Sequence, residues 1–363
     1  ESVLLATSTD LKTWTKKPEF KITAPAGYYD YDFRDPHVFF NQESNQYWMV
    51  VSTQTDPARK AVLLLFTSSD PAGGNWTPQG PIYTTTPAEN YLMLECADIF
   101  KMGNYWYMMF SENWSGTKGT HYRMATSING PWTTPANDMI DGEYFYAAKT
   151  ASDGNKRYAF AWVARKAPEN DTGGKEWGGN LAVHELTQNA DGTLAAKAPD
   201  ALSSKLSVPV TVSPDSTEGT VTQANGSYSL SGTSADAKAV FASPGKKAKI
   251  KAQITLGTDA GAAGLFFNTN AEGSYYKIML EPQANRIAGY NSAGEEVTRV
   301  PFDLQSGAAY TVEVITEGSV VVVYVNGKVA LSNRIYGRDN QKWGFIATGT
   351  NATVSGLEVT KPQ

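Results

Sequence analysis

The chain has a single cysteine, Cys96, among its 363 residues, so no disulfide can form within it. Its longest apolar runs, such as residues 61–66 and 320–325, are too short to span a membrane as a helix. A formal net charge of -5 provides none of the positive charge that nucleic-acid binding requires. The sequence therefore predicts no intrachain disulfide, no membrane-spanning segment and no nucleic-acid partner.

Residues that commonly hold cofactors are also sparse. The three histidines, His37, His121 and His184, are widely separated and lack metal-ligand spacing, which favours a structural role for each. Cys96 has no histidine at a spacing known for catalytic pairs, which favours a buried thiol. No glycine-rich loop follows a predicted strand and opens a helix, as phosphate-binding loops do. We therefore expect neither a metal site nor an organic cofactor.

The chain is instead rich in aromatic and turn-forming residues. Aromatic residues make up 12% of it, and it contains 32 glycines and 18 prolines, a composition typical of all-β folds. A turn of Ser, Asp or Asn followed by Trp occurs in residues 6–14, 66–76 and 125–132, a spacing of about sixty residues. Such a repeat, built from short strands, predicts the blades of a β-propeller. Each Trp is expected to pack an outer strand onto its neighbour.

A change in composition near residue 200 predicts the domain organisation. Residues 1–200 contain the repeats and predict a β-propeller domain. Residues 201–218 are rich in Ala, Ser, Pro and Asp, which indicates a linker. Residues 219–363 contain many short alternating strands, and the dipeptide Asn-Gly at 326–327 is a strong hairpin signal. This last part therefore predicts a β-sandwich.

Two acidic motifs each precede a run that predicts a buried strand, at residues 38–41 and 98–101. Glu95 lies in an apolar run, where desolvation would favour a protonated carboxyl group that can donate its proton. Asp35 follows Arg34, whose charge would keep it ionised, so that it could bind sugar hydroxyls and favour a positive transition state. Cleavage of a glycosidic bond commonly uses two such carboxyl groups. We therefore expect a glycosidase.

Taken together, four motifs resemble those of glycoside hydrolase family 32, the invertase, inulinase and levanase family. They are Phe-Arg-Asp-Pro at 33–36, Glu-Cys at 95–96, Phe-Tyr-Ala-Ala at 145–148, and Trp-Gly-Gly-Asn through His-Glu-Leu at 177–186. The resemblance covers nearly the whole chain. It implies a five-bladed β-propeller followed by a β-sandwich, and retaining hydrolysis of β-fructofuranosidic bonds. The implied partner is a fructan such as levan or inulin, or sucrose.

The resemblance also implies roles for individual residues. Glu95 would be the general acid/base, and Asp35 would bind fructose hydroxyls and stabilise the transition state, with Arg34 beside it. Tyr146 and Trp177 would line the fructose pocket. The family nucleophile stands in a Trp-x-Asn-Asp-Pro-Asn-Gly motif that has no counterpart here, so no residue of this chain is assigned that role. We expect the first blade and most of the second to lie upstream of this chain.

Three hypotheses stay open at the level of sequence. The first is a fructan-degrading glycosidase, seen as an N-terminally truncated chain that lacks its nucleophile and would be inactive alone. The second is a non-catalytic fructan-binding protein or an inactive homologue. The third is an inverting propeller glycosidase acting on arabinose polymers, whose carboxyl groups would lie farther apart. We expect a bacterial protein that is secreted, periplasmic or displayed at the cell surface, with its signal region outside this chain.

Overall fold

The fold is almost entirely β. The structure is a computed structural model and describes residues 1–258, 260–268, 274–337 and 341–363. The chain divides into two compact units, one formed by Glu1–Asp138 with Ala147–Lys149, the other by Met139–Tyr146 with Thr150–Gln363. Within the described ranges, no helix combines the length and the apolar character that crossing a membrane would require.

The first unit is built from short antiparallel strands that follow one another in sequence. These strands are β1 (Val3–Thr7), β2 (Thr15–Ile22), β3 (Arg34–Asn41), β4 (Gln46–Gln54), β5 (Ala61–Ser68), β6 (Thr77–Thr84), β7 (Glu95–Met102), β8 (Tyr105–Glu112) and β9 (Gly119–Ala125). They form sheets in the orders β1-β2, β3-β4-β5-β6 and β7-β8-β9. Sheets of sequential antiparallel strands are the building unit of propeller blades, as the sequence repeat predicts.

The repeat corresponds to one turn geometry that recurs. After each repeat serine, the backbone N–H two residues on donates to the serine Oγ, at 3.3, 3.1 and 3.2 Å, in the turns of Ser8, Ser68 and Ser127. Trp76 and Trp132 are half-buried and pack against the apolar cores, as expected. Trp14 is 55% exposed, so the prediction is wrong there. The reason is that β2 enters the core only at its far end, at Phe20 and Ile22.

A further sheet, which lies in the second unit except for the middle of its first strand, consists of four consecutive segments of chain. They are β10 (Phe145–Ser152), β11 (Arg157–Ala167), β12 (Gly174–Gln188) and β13 (Leu194–Lys197), and the sheet order follows the sequence order. The turn between β10 and β11 contains Gly154 at φ +98°, where a glycine is favoured, as a hairpin turn demands. The first residues of β12 pair with the end of β11, beyond a register shift after Ala164.

The rest of the second unit is a β-sandwich with a short helix at its start. Its elements are α1 (Asp200–Lys205), β14 (Leu206–Pro209), β15 (Pro214–Glu218), β16 (Thr220–Ala224), β17 (Ser227–Ser231), β18 (Ala237–Phe241), β19 (Lys247–Leu256), β20 (Ala262–Asn268), β21 (Tyr275–Glu281), a 3-10 helix (Pro282–Ala284), β22 (Arg286–Tyr290), β23 (Glu296–Pro301), β24 (Ala309–Glu317), β25 (Val320–Val325), β26 (Val329–Arg334), β27 (Trp343–Thr348) and β28 (Asn351–Pro362). One sheet has the order β16-β17-β28-β19-β24-β25-β26, with β14 beside β28, and the other has the order β15-β18-β27-β20-β21-β22-β23. Both sheets contribute to one apolar core, which includes Ile250, Val314 and Phe345. The predicted sandwich and its Asn326-Gly327 hairpin are confirmed.

The interpretation of residues 201–218 as a linker is wrong. The segment forms most of α1, then β14 against β28 and β15 against β18. Leu206 is buried, and its carbonyl accepts a hydrogen bond of 2.7 Å from Thr360 Oγ1. Pro209 and Pro214 stand at strand ends, where the missing N–H is tolerated. The outer limits predicted for the propeller and sandwich domains stay predictions.

Candidate active site

The strands that carry the two predicted acids begin earlier than the sequence indicates. β3 starts at Arg34 and β7 at Glu95, and the register with the next strand shifts directly after each of these residues. The residues that follow them, Asp35 and Cys96, have φ of +60° and +54°. Each strand therefore opens with a β-bulge, a feature that redirects side chains and is common beside active sites.

The start of β10 repeats this backbone conformation. Ala147, the residue after Tyr146, has φ +61°. A left-handed conformation at a residue other than glycine costs of order 1 kcal/mol, and it persists only where the surrounding structure enforces it. It recurs near the start of β3, β7 and β10, in each case directly after a residue of the proposed site: Arg34, Glu95 or Tyr146.

Arg34, Asp35 and Glu95 lie together in the first unit. The Arg34 guanidinium donates from Nη2 to Glu95 Oε1 at 2.8 Å and from Nη1 to Asp32 Oδ1 at 2.5 Å. The backbone N–H of Cys96 donates to Asp35 Oδ2 at 2.9 Å, so Asp35 accepts from the residue next to Glu95. The side chains of Arg34 and Glu95 are 32% and 18% exposed, so a solute can reach this group.

Arg34, which directly precedes Asp35 in sequence, forms its hydrogen bonds with two other carboxylates. The guanidinium bridges Asp32 and Glu95. Burial lowers the pKa of Arg34, but its hydrogen bonds to Glu95 and Asp32 outweigh burial and raise the pKa above its ordinary value. Asp35 is held by a backbone amide, and Glu95 is held by a permanent cation.

A layer of buried groups supports this cluster. The Lys149 ammonium donates to the carbonyl of Ala97 at 2.6 Å, and burial lowers its pKa. Ser111 Oγ accepts the N–H of Ala147 at 2.9 Å. Burial, reinforced by the Asp35 carboxylate, raises the pKa of the Cys96 thiol to about 12, so this thiol is neutral at physiological pH. These contacts fix the bulged backbone from which Asp35 and Glu95 project.

Two charged residues at the same edge, Asp32 and Arg59, are not predicted from the sequence. Arg59 lies over the ring of Tyr29, 3.4 Å from its centroid, and its Nη2 is 3.7 Å from Asp32 Oδ2. Asp32 thereby links Arg59 to Arg34. The only sequence signal for Asp32 is its place two residues before Arg34, and Arg59 lies in a polar turn with no signal of its own.

Each of the three histidines contacts a carboxylate. His37 Nε2 is 3.1 Å from Asp98 Oδ1. His184 Nε2 is 2.8 Å from Asp141 Oδ2, and both side chains are fully buried. His121 belongs to a larger buried group of charges with Glu112, Asp138, Arg123 and Glu89, which the sequence does not indicate. These partners come from distant parts of the sequence, so no local motif marks them.

The second unit brings Tyr146 and Trp177 together with a third ring. The centroid of Tyr146 is 5.6 Å from that of Trp177 and 5.2 Å from that of Trp162, which the sequence analysis did not single out. Tyr146 is 2% exposed, whereas Trp177 is 65% exposed. Lys175 Nζ lies 5.6 Å from the Trp177 centroid and pairs with Glu143 at 2.8 Å. Trp177 therefore offers the accessible aromatic face of this cluster.

Comparison with known proteins extends these observations. Residues 1–198 match the description "Glycosyl hydrolases family 32 N-terminal domain". Residues 192–359 match "GH32, BT1760-like, C-terminal domain". The chain is 28% identical over 203 residues to a sucrose-6-phosphate hydrolase of Escherichia coli, a match that covers 52% of this chain and 40% of the relative. It is 26% identical over 178 residues to a raffinose invertase of Escherichia coli, with 46% and 36% covered. The matched region thus spans about two fifths of these curated relatives.

The fold is shared with solved structures. A GH32 β-fructofuranosidase of Bombyx mori aligns over 99% of this chain and 72% of its own, with a TM-score of 0.70 and 18% sequence identity. This likeness confirms the predicted all-β fold of propeller blades followed by a β-sandwich. Since the N-terminal family description alone matches more than half of the residues, this chain belongs to glycosyl hydrolase family 32.

Proposed function

We propose that this protein is a retaining glycoside hydrolase that cleaves β-fructofuranosidic bonds in sucrose or in fructans such as levan and inulin. The observation that carries the proposal is the group formed by Arg34, Asp35 and Glu95 at the bulged starts of neighbouring sheets. The names of the curated relatives, a sucrose-6-phosphate hydrolase and a raffinose invertase, support a fructose-containing substrate.

Glu95 takes the role of general acid/base. A retaining glycosidase needs one carboxyl group that protonates the leaving oxygen and later removes a proton from water. Arg34 holds Glu95 Oε1 at 2.8 Å, so the carboxyl group has a defined orientation before the substrate arrives. After the proton has been donated, the same hydrogen bond becomes charge-assisted on both sides and stabilises the carboxylate that forms.

Asp35 takes the role of transition-state stabiliser. Its Oδ2 accepts the N–H of Cys96, the residue next to Glu95, which brings the carboxylate close to the proposed acid. A carboxylate in that position can accept hydrogen bonds from ring hydroxyls. It also favours the positive charge that develops on the sugar ring as the bond breaks. Substitution of Asp35 is therefore expected to weaken substrate binding and to lower turnover.

The remaining roles follow from the same proposal. Tyr146 and Trp177 keep the role of sugar-contacting rings that the family resemblance implies, and Trp177 is the accessible one of the two. Retention of configuration also requires a carboxylate nucleophile, and we assign that role to none of the residues of this chain. The pH-independent positive charge of Arg34 holds Glu95 in place throughout the cycle.

The test is hydrolysis of sucrose, levan and inulin by the full-length protein and its Glu95→Gln variant. General acid/base catalysis is worth about 10²–10⁴-fold, so Glu95→Gln should lower turnover by that factor while substrate still binds. Glu19→Gln makes the same chemical change at an exposed carboxyl group on β2 and should be neutral. Near wild-type turnover in Glu95→Gln would remove Glu95 from the role. Binding of fructan without any hydrolysis by the wild type would establish a binding protein instead.

A further inference from the structure

The loop between β8 and β9 leaves its sheet at the edge where Glu95 lies. β8 is antiparallel to β7, and Glu95 pairs directly with Ser111. The last residue of β8, Glu112, and the loop of residues 113–118 therefore follow on from the cross-strand partner of the proposed acid. Three residues of extended chain span at most about 10 Å. Opposed residues of antiparallel strands add about 5 Å, so Trp114 stands within about 15 Å of the Glu95 position.

This loop is anchored by a carboxylate that is completely buried. Glu112 is 0% exposed, and its Oε2 accepts the N–H groups of Trp114 and Ser115, each at 2.8 Å. The Ser115 hydroxyl donates to Glu112 Oε1. His121, also buried, lies with its Nε2 3.4 Å from Glu112 Oε1 and 2.8 Å from the carbonyl of Thr117. Both ends of the loop are thereby fixed to buried charges.

Burying a charged group costs free energy unless the group is paired. In this loop the buried charges of Glu112 and His121 are paired with each other and with loop groups. Burial raises the pKa of Glu112, but hydrogen bonds from His121, Ser115 and the Trp114 N–H outweigh it and lower the pKa below its ordinary value. The loop so held contributes no buried residue to the core. Its one large side chain, Trp114, is 38% exposed. The arrangement therefore fixes an exposed indole in place.

Two other large apolar side chains are exposed at the same edge. Tyr31 is 69% exposed and Leu92 is 39% exposed. Each stands three residues before the first residue of a bulged strand, Tyr31 before Arg34 and Leu92 before Glu95. With Trp114 they give the proposed active-site edge an apolar rim, and Trp114 is the member whose backbone is held by side chains of its own sheet.

We infer that Trp114 is a specificity-determining residue that stacks on a sugar ring beyond the bond cleaved at Glu95, and so favours fructo-oligosaccharides over sucrose. The inference rests on the proposed function. An indole offers a flat apolar face to the C–H groups of a neutral sugar ring, and its position in a fixed loop means that little conformational entropy is lost on binding. A disaccharide has a single ring beyond the cleaved bond, whereas a longer chain has further rings that can extend to the loop.

The experiment compares Trp114→Ala and Trp114→Phe in the full-length protein, with Trp14→Ala as the matched control. Trp14 is exposed in a turn between β1 and β2 and takes no part in the rim. The measured quantity is kcat/KM for sucrose and for inulin- and levan-derived oligosaccharides of increasing length. Trp114→Ala should lower kcat/KM for the longer substrates about tenfold, mainly through KM, and leave sucrose unchanged. Trp114→Phe should retain most of the preference, and Trp14→Ala should change nothing.

Two outcomes would overturn the inference, namely an equal loss on sucrose and oligosaccharides, or no loss on either. If the protein hydrolyses neither substrate, the proposed function fails, and calorimetric titration with the oligosaccharides decides the role of Trp114 separately. Weaker binding by Trp114→Ala than by Trp14→Ala then supports the platform. Equal binding by the two variants, or no binding by the wild type, rejects it.

Discussion

The Asp35 carboxylate accepts a hydrogen bond from a backbone N–H group. A variant that keeps this hydrogen bond but removes the negative charge separates a structural role from a catalytic one. In Asp35→Asn the amide oxygen can still accept the Cys96 N–H, so the fold should lose little stability. The negative charge is lost, so substrate binding and turnover should fall together, with turnover lower by at least about 10²-fold. Steady-state kinetics measured beside thermal melting curves will separate the two effects.

Asp10→Asn is the matched control for this comparison. Asp10 also accepts backbone N–H groups, from Lys12 and Thr13 at 2.8 Å each, but in an exposed turn. These hydrogen bonds hold the pKa of Asp10 at about 2. Its substitution should change stability slightly and kinetics not at all. If Asp35→Asn behaved like Asp10→Asn, with altered melting and unaltered kinetics, Asp35 would be a structural cap only.

At the scale of residues, the sequence indicates which residues belong to the candidate site better than it indicates which residues they contact. Asp35 and Glu95 stand out because each acid precedes an apolar run, and both lie in the candidate site. The partner of Arg34 could not be predicted, because the nearest acid in sequence is not the nearest in space once the strand opens with a bulge. Trp162 and Arg59 were missed for the same reason, since their partners are distant in sequence.

The left-handed residue near the start of β10 allows a prediction at the scale of the element. Ala147 has φ +61°, where glycine has no steric cost, and its N–H bond to Ser111 Oγ does not depend on the side chain. Ala147→Gly should therefore raise the free energy of unfolding by about 0.5–1 kcal/mol. Ala148→Gly, one residue on, removes a fully buried methyl group and should lower it by about 1 kcal/mol or more. Chemical denaturation of both variants measures these two changes in the free energy of unfolding.

If Ala147→Gly raises the free energy of unfolding and Ala148→Gly lowers it, the backbone at Ala147 is strained and the strain is local. Destabilisation by both substitutions would mean that the methyl group of Ala147 contributes more packing than its backbone costs. The proposed activity supplies a second readout, because a strand start that is relaxed by glycine would position Tyr146 less firmly. Activity that falls while stability rises would connect the strain to function.

At the same scale, local signals predict strands and turns well. The Ser-x-Asp and Ser-x-Asn turns hydrogen-bond within themselves, so sequence is enough to locate them. The segment 201–218 was misread because its Pro, Ser and Asp content is that of a loop, although its backbone groups pair with β18 and β28. α1 has six residues and no buried side chain, so it is too short to show a helical period.

The buried charges around His121 affect the stability of the whole molecule. Burial lowers the pKa of His121, but hydrogen bonds to Asp138 and Glu112 outweigh it and raise the pKa to about 9. Hydrogen bonds, with Arg123 contributing at Asp138, lower the pKa values of Glu112 and Asp138 in spite of burial. The imidazolium, the two carboxylates and the guanidinium of Arg123 therefore remain charged together over the neutral range, with the ring of Tyr91 packed against His121.

This cluster predicts how stability depends on pH. Because the folded pKa of His121 lies above its ordinary value of 6.5, its stabilisation is complete below pH 6.5 and is lost as the pH rises through about 9. The carboxylates act in the opposite direction. Because the pKa of Glu112 lies below its ordinary value of 4.5, its contribution is complete above pH 4.5 and is lost on acidification. The cluster therefore stabilises the fold most between these two ordinary values.

Chemical denaturation across the pH range tests the alkaline side. The free energy of unfolding should fall by roughly 2 kcal/mol between pH 6.5 and pH 9. His121→Gln keeps a side-chain hydrogen-bond donor but cannot titrate. That variant should be less stable than the wild type at pH 6.5, and its stability should change little on going to pH 9. A wild-type curve that is flat over this interval, or an unchanged slope in His121→Gln, would show that the imidazolium does not hold the Glu112 and Asp138 carboxylates in the folded protein. In that case the anchoring of the Trp114 loop would depend on the backbone and serine hydrogen bonds to Glu112 alone.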